Sequence, residues 1–380
     1  MTAAAEPGRG YGTTSLSAAA LSIVLMGDAL LYVVLPVSAG AFGVGIVWVG
    51  VLLSANRFVR IVTYGAVARV TDMLGIRRTT IFACATGAVS TVMYGLFDGG
   101  PILLAARLIW GLSYAALILA CLAYAVDDKA RAGTRVGLSH AIQQFGPAVV
   151  LTLGAWSAGY AGPQETFLYI GLVSFAALPV AFLLPREAGP PQRRDSPWLP
   201  RPERLDLLFF AVGLTIDGAF AMTITILLSG VLSVEGAILG GGMVFLLRRF
   251  AEAFFGPLGG MLGDRVGVGL MFFAATAAAA VGLAAIALGY LYAGAGAVVV
   301  GRAVIAAVGP AAVARRNPPE RVMHRLATMQ SWRDLGAAVG PLASGFVIGV
   351  WELPSIYWGL AAVLAIGMAI QALPRPDRQG

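Results

Sequence analysis

Apolar runs of about twenty residues, joined by connections of two alternating kinds, constrain this chain more than any other feature. One kind is rich in arginine. It comprises the N-terminus (Arg9), 69–78 (Arg69, Arg77, Arg78), 129–135 (Lys129, Arg131, Arg135), 186–204 (Arg186, Arg193, Arg194, Arg201, Arg204), Arg265, 315–325 (Arg315, Arg316, Arg321, Arg325) and the tail (Arg375, Arg378). The other kind, 39–45, 98–100, 161–166, 233–236, 293–296 and 351–354, has no basic residue; its charges are Asp98, Glu165, Glu235 and Glu352. Backbone in lipid must bond within itself, which leaves helices or closed barrels. Barrel strands are about half as long as these runs and alternate in polarity, so the runs predict helices. Lys and Arg beside short connections stay on the cytoplasmic side. The alternation therefore predicts a polytopic helical membrane protein with an even number of crossings and both termini cytoplasmic.

Composition agrees. Of 380 residues, 58% are hydrophobic and 12% charged, whereas soluble domains are about 25% charged. Mean hydropathy is +0.82. The net charge of +7 sits in the basic connections, where orientation and lipid headgroups account for it. No aromatic-basic pattern of a nucleic-acid binder accompanies it, so the bilayer is the expected partner and nucleic acid is not. Cys84 and Cys121 lie inside apolar runs, and His140 and His324 are scattered. Neither pair forms a metal-ligand spacing, and no cofactor is expected. The first run, Ser15–Val37, contains Asp28 and exceeds the roughly 7–15 residues of a signal-peptide core. It reads as a retained helix. No Ser/His/Asp arrangement or phosphate-cradling loop sits in a plausible context, so an enzyme is not expected.

Twelve spans are predicted, near 15–38, 45–69, 79–97, 101–125, 136–160, 166–184, 205–230, 236–262, 267–291, 296–314, 325–350 and 355–373. A Pro- and Arg-rich linker, 185–204, separates a first six-helix bundle (1–184) from a second (205–380). The halves repeat. Asp28 matches Asp217, Asn56-Arg57-Phe58 matches Arg248-Arg249-Phe250, and Asp72 matches Asp264. Arg107 matches Arg302, and Gly146-Pro147 matches Gly340-Pro341. The offsets are 189, 192, 192, 195 and 194. Tandem halves with a pseudo-two-fold axis are a transporter architecture whose substrate site lies between them near mid-membrane.

The loops after the second and eighth runs resemble a signature of the major facilitator superfamily, Gly-x-x-x-Asp-Arg-x-Gly-Arg-Arg. The first reads Asp72-Met73-Leu74-Gly75-Ile76-Arg77-Arg78, with Ala68 in place of the leading glycine; the second reads Gly260-Met261-Leu262-Gly263-Asp264-Arg265-Val266-Gly267. Arg107-Leu108-Ile109-Trp110-Gly111 is similar to the Arg-x-x-Gln-Gly of proton-coupled members, with Trp110 replacing glutamine. Gly336-x-x-x-Gly340-Pro341-x-x-Ser344-Gly345 is a fuller version of the family's antiporter motif than the Gly146-Pro147 stretch. The resemblance covers the whole chain and implies the family's all-α fold. It also implies that Asp72, Gly75, Arg77, Arg78, Asp264 and Arg265 form a cytoplasmic gate latch. A fold of this kind does not specify the cargo.

Ionisable residues at bilayer depth face a partner, the bundle interior or a water path. Here seven arginines (57, 60, 107, 248, 249, 302, 333) stand against four acids (Asp28, Asp217, Glu252, Asp334). The excess of cations points to a substrate with anionic groups; snorkelling or bonds to backbone carbonyls are the alternative for part of the set. Asp28, with Asp217 and Arg107, reads either as a proton-coupling group or as half of a permanent interhelical ion pair. Arg57 and Arg249, whose planar forks suit carboxylates, are candidate substrate contacts. Tyr32, Asn56, Trp110 and Tyr114 join them as candidate cavity walls. Gln143 and Gln144 lie opposite Gln330, Arg333 and Asp334 under the repeat, as substrate contacts or as part of the inner gate.

Together these readings predict a secondary active transporter that moves a small organic solute by alternating access. Short connections and the fourth- and eleventh-run motifs favour a monomeric, proton-coupled exporter in a bacterial inner membrane. An organic-anion importer or facilitator, and a non-transporting assembly factor or receptor on the same fold, are the alternatives.

Overall fold

Glycine decides where consecutive helices fold back. Gly75 and Gly267 stand 192 residues apart and both have positive φ, 87° and 113°, a conformation that only glycine adopts without strain. Each ends one helix and starts the next within a residue or two. In the computed structural model, residues 10–185, 202–229, 234–348 and 350–372 are described.

Helix α1 is Tyr11–Val37, followed by a 3₁₀ turn at Ala39–Phe42; α2 is Ile46–Leu74, α3 Ile76–Leu96 and α4 Gly100–Val126. A short 3₁₀ turn, Lys129–Arg131, leads into α5. This helix is composite: Ala132–Gln143, Phe145–Val149, a π-helical stretch Val150–Gly154, and Ala155–Tyr160. Helix α6 combines Pro163–Ser174 and Ala177–Phe182. Helix α7 combines Arg204–Val212, a π-helical stretch Gly213–Phe220, and Ala221–Ser229. Then come α8 (Val234–Val266), α9 (Val268–Ala287), α10 (Leu291–Arg316), α11 (Pro319–Ile348) and α12 (Leu353–Ala372). Among the described residues all regular structure is helical.

Several expected ends move. Asp72 lies in the last turn of α2 and Arg77-Arg78 in the first turn of α3, so the expected basic connection at 69–78 is almost entirely helix. Helix α11 starts at Pro319, not near 325, which brings His324 onto the helix. The cause is general: helices continue past the hydrocarbon core, and hydropathy alone marks the core. Most of the expected linker, residues 186–201, lies outside the described residues, as do Arg9 and the tail.

Among the described residues, eight helices are long and apolar enough to cross a membrane: α1, α3, α4, α6, α7, α9, α10 and α12. The remainder, α2, α5, α8 and α11, form most of the two seams between the halves, together with α10. Helix α2 packs on α11, and α5 packs on α8 and α10. The polar residues that lower their hydropathy are the ones the interface uses.

Helices α4 and α10 run through the core, with Leu117, Leu119, Val298 and Val308 fully buried. At the end away from the basic connections, Phe42, Tyr94 and Phe167 form a ring cluster with centroids 5.7–6.2 Å apart. An arginine clasps the first helix of each half. Arg135 donates to Thr14 Oγ1 (3.0 Å) and the Tyr124 carbonyl (2.6 Å), and Arg325 donates to the buried Asp206 carboxylate (2.7 Å).

Candidate functional site

Each half carries a carboxylate–arginine pair at the same place in the repeat. In the first half Arg107 Nη1 donates to Asp28 at 2.5 Å and Arg107 Nε to the Leu52 carbonyl at 2.8 Å. In the second, Arg302 Nε and Arg248 Nη2 both donate to Asp217 Oδ1 at 2.7 Å. Arg248 also holds Glu252 at 3.1 Å. The extra arginine has a simple origin: Arg248 occupies the position of Asn56, which is buried with its Oδ1 unpartnered. Asp28 therefore sits beside Arg107. Asp217 lies in the π-helical stretch of α7. Close glycine contacts press that stretch on α11: a Cβ at Gly213 would come 2.1 Å from the Arg333 carbonyl, and one at Gly340 2.3 Å from that of Leu214.

Proline supplies a second layer. Proline has no N–H, so it leaves the carbonyl four residues earlier without its helical donor. Pro147 frees the Gln143 carbonyl, which accepts from Ser22 Oγ at 3.4 Å. Pro341 frees the Ala337 carbonyl, and Arg57 Nη1 of the other half reaches it at 3.5 Å. Pro310 frees the Ala306 carbonyl, and the His140 ring of the other half lies beside it. Two of these docking points therefore link the halves.

Of the seven intramembrane arginines, five are ion-paired among the described residues. The exceptions are Arg57 and Arg249, which are equivalent under the repeat. Arg57 has the Ala337 carbonyl, and Arg249 Nη1 has Gln144 Oε1 at 2.6 Å; neither partner is charged. Gln144 also donates to Glu252 at 2.9 Å. On the opposite seam Asp334 accepts from Arg60 Nε at 2.9 Å, Tyr64 Oη at 3.0 Å and Arg333 Nη2 at 3.1 Å. The Arg60 guanidinium lies 4.7 Å over the Tyr114 ring.

The structure brings Arg57, Arg249, Gln144, Arg333, Asp334 and Tyr114 to the seams, but not every expected wall residue. Trp110 is 1% exposed and packs against Gly87 in the first-half core. Gln143 turns inward to Ser139 Oγ at 3.0 Å. Tyr32 is half-exposed, donates to the Leu53 carbonyl at 3.3 Å and lies 5.7 Å from the Arg107 guanidinium. Gln330 is buried with its Oε1 unpartnered. It shares a pocket with His140, Arg302 and Arg333.

At the basic face the two aspartates of the signature loops both reach across the halves. Asp264 accepts from the main-chain N–H groups of Gly133 (3.0 Å) and Thr134 (2.8 Å), the Thr134 hydroxyl (2.8 Å) and Arg315 (2.8 Å). These N–H groups open α5, where the helix dipole favours an anion. Asp72 instead meets His324 Nε2 at 2.5 Å. Arg78 and Arg265 are exposed, and Arg77 donates to the Phe182 carbonyl of its own half. The cross-half contacts there are made by the aspartates, with His324 and the opening of α5 as partners, and by Arg315 on the Lys129 and Ala130 carbonyls and Lys129 on the Asn317 carbonyl. Those partners have no signature of their own. Their equivalence to a gate depends on which helix faces which, although an N-terminal Gly-Thr opposite a repeated Asp was a usable hint.

All described hydrogen bonds between the halves lie from the Arg57 and Arg249 level to the basic face. This is an arrangement shut on that face.

Comparison with known proteins agrees with this architecture. The family model of the Major Facilitator Superfamily matches residues 17–247 and 209–380. A stretch of 127 residues, 33% of this chain, is 29% identical to the staphyloferrin B transporter of Staphylococcus aureus (strain NCTC 8325 / PS 47), and spans only 30% of that protein. Among solved structures, the human organic anion transporter MFSD10 (TETRAN) superposes with a TM-score of 0.74 at 15% identity, over 96% of this chain and all of that one. The proton:xylose symporter XylE gives 0.74 at 11% identity over 96% of each chain. The E. coli fucose:proton symporter FucP gives 0.72 at 12% identity, over 94% of this chain and 97% of that one. Matched along nearly its whole length, this chain belongs to the Major Facilitator Superfamily, a multi-pass membrane transporter of a small solute by secondary transport.

Proposed function

We propose that this transporter exports a small organic anion in exchange for protons, with Arg57 and Arg249 as the anion's anchors. The observation that carries the reading is the pair itself. These two repeat-related guanidiniums, one from each half, stand at the level where the cross-half contacts end, and neither has a carboxylate partner. A cation at bilayer depth without an acid is costly, and a bound carboxylate offsets that cost with a bidentate geometry. The names of the staphyloferrin B transporter and the human organic anion transporter are in keeping with it.

The basic face is read as cytoplasmic by the arginine bias, with both termini there, in a bacterial inner membrane. Residues 1–184 and 205–380 are the two bodies that rock, joined by 185–204 and acting as a monomer. Asp28, Asp217 and Arg107 are its proton-linked groups, and Asp72 and Asp264 its cytoplasmic latch.

The test is flux into proteoliposomes under an imposed pH gradient, with organic anions and organic cations offered in parallel. Anion flux is expected in the wild type. It should drop at least about tenfold in Arg57→Gln and in Arg249→Gln, the loss of one charged hydrogen bond of about 1.5–3 kcal/mol. Cation flux that ignores both substitutions would overturn the reading. A companion measurement addresses coupling: Asp28→Asn is expected to lose gradient-driven flux and keep substrate exchange.

A further inference from the structure

Four carboxylates lie at bilayer depth, and they differ in where their partners come from. Asp28 takes Arg107, and Asp217 takes Arg302 and Arg248, all from their own half. When the halves rock as bodies, these pairs travel intact; their proton linkage follows the changing access of water, not the parting of the seam. Glu252 has Arg248 in its own half and, across the seam, a hydrogen bond from the neutral Gln144 amide with the His140 ring nearby. Asp334 is different. Two of its three donors, Arg60 and Tyr64, belong to the first half. Opening the basic face must part α2 from α11 and break both bonds. A proton shifts a two-state equilibrium only where its binding differs between the states, and Asp334 is where the surroundings of a carboxylate change most.

The two seams are also built differently. The α5–α8 seam is main chain against main chain: a Cβ at Gly133 would come 2.6 Å from the Gly260 carbonyl, and one at Gly137 2.6 Å from that of Gly256. Side chains join it too: Asp264 on the N–H groups that open α5, and Gln144 between Arg249 and Glu252. The α2–α11 seam is held by ionisable side chains, Asp334 with Arg60 and Tyr64 and, at the rim, Asp72 with His324.

We propose that Asp334 is the protonation site that governs opening of the α2–α11 seam. As a carboxylate it ties α11 to Arg60 and Tyr64; as a neutral acid it lets them part. The proton comes from water admitted by the opening seam and adds to Oδ2, the oxygen that Arg60 and Tyr64 release. The charged and titratable groups around it are Arg60 and Tyr64 on α2, Tyr114 on α4 under Arg60, and Arg333 on α11 itself. Beyond Arg333 lie Asp217 on α7 and Arg302 on α10, and α12 brings no charge to this site. The place of this step in a transport cycle rests on the proton-coupled reading above; the latch does not.

The experiment measures the distance between spin labels at Val70 on α2 and Arg321 on α11, in lipid nanodiscs without substrate, from mildly alkaline to mildly acid pH. In the wild type the short distance is expected to dominate at alkaline pH and a longer one to grow on acidification. Asp334→Asn should show the long distance throughout and lose the pH dependence. Asp28→Asn and His324→Gln should keep an acid-driven opening. If Asp334→Asn does not fold, Arg60→Gln should open the seam at alkaline pH, with Asp334→Glu restoring a titrating short distance. A seam that stays shut in Asp334→Asn or Arg60→Gln, or titrates in Asp334→Asn as in the wild type, overturns the proposal. Seam opening by Asp334→Asn in a protein whose flux ignores the pH gradient would retain the latch and remove the proton-coupled reading. Proton-driven flux with an unaltered seam would do the reverse.

Discussion

Gly137→Val and Gly260→Val are each expected to stop transport while leaving the protein folded in the membrane. At Gly260 an added Cβ would lie 2.0 Å from the Gly133 carbonyl oxygen, and at Gly137 it would lie 2.6 Å from that of Gly256 and 2.7 Å from Pro257 Cα. The opposing atoms are backbone and cannot swing aside, so α5 and α8 must separate by more than an ångström along the seam. Small residues are what allow helix backbones to approach this closely in a membrane. Separation also draws the first N–H groups of α5 away from Asp264, because Gly133 is itself a donor to it. The state shut on the basic face is lost, and the one open there is trapped. Flux should fall to background. A cysteine introduced at Thr134 should become reactive to a thiol reagent applied from the basic face. Full flux in Gly260→Val would refute the close seam as a working part of the cycle.

Asp217→Asn is expected to cost the protein about 3–5 kcal/mol, the usual loss when one partner of a buried ion pair is removed. Asp217 Oδ1 accepts from both Arg302 and Arg248. Asparagine keeps the shape and leaves two guanidiniums facing one neutral amide, with Glu252 left to hold Arg248 alone. Asp28→Asn is milder, because Arg107 keeps the Leu52 carbonyl. Thermal unfolding in detergent should therefore rank wild type above Asp28→Asn and Asp28→Asn above Asp217→Asn. Asp217→Leu with Arg302→Leu should recover part of the loss, since two well-packed apolar residues leave only Arg248 to satisfy. Equal unfolding midpoints for wild type and Asp217→Asn would mean that the cluster is solvated and carries no stability.

Both expectations come from residues whose importance was half legible. The repeat paired Asp28 with Asp217, Arg107 with Arg302 and Arg57 with Arg249 before any coordinates, because a duplicated chain repeats its special positions at a near-constant offset. It also paired Asn56 with Arg248, and this one difference turns a single ion pair in the first half into a two-arginine cluster in the second. Trp110, expected as a cavity wall, and Gln143, expected as a substrate contact or gate residue, are buried within the first half. Their spacing along a helix is compatible with either face, and only packing against Gly87 and Ser139 turns them inward.

The sequence by itself determined that this chain is a bundle of membrane helices, because lipid forbids unpaired backbone and helix length follows from that. It marked which charges fall inside apolar runs, because such charges stand out there. It left open which charge answers which. Pairing is a property of three-dimensional neighbours, and the same seven arginines and four acids admit many pairings. Only the tertiary structure decided that Asp28 and Asp217 are satisfied within their halves, that Asp334 is satisfied across them, and that Arg57 and Arg249 form no ion pair among the described residues. The difference is physical: hydrophobic periodicity is local to one helix, whereas an ion pair forms only when folding brings two distant helices face to face.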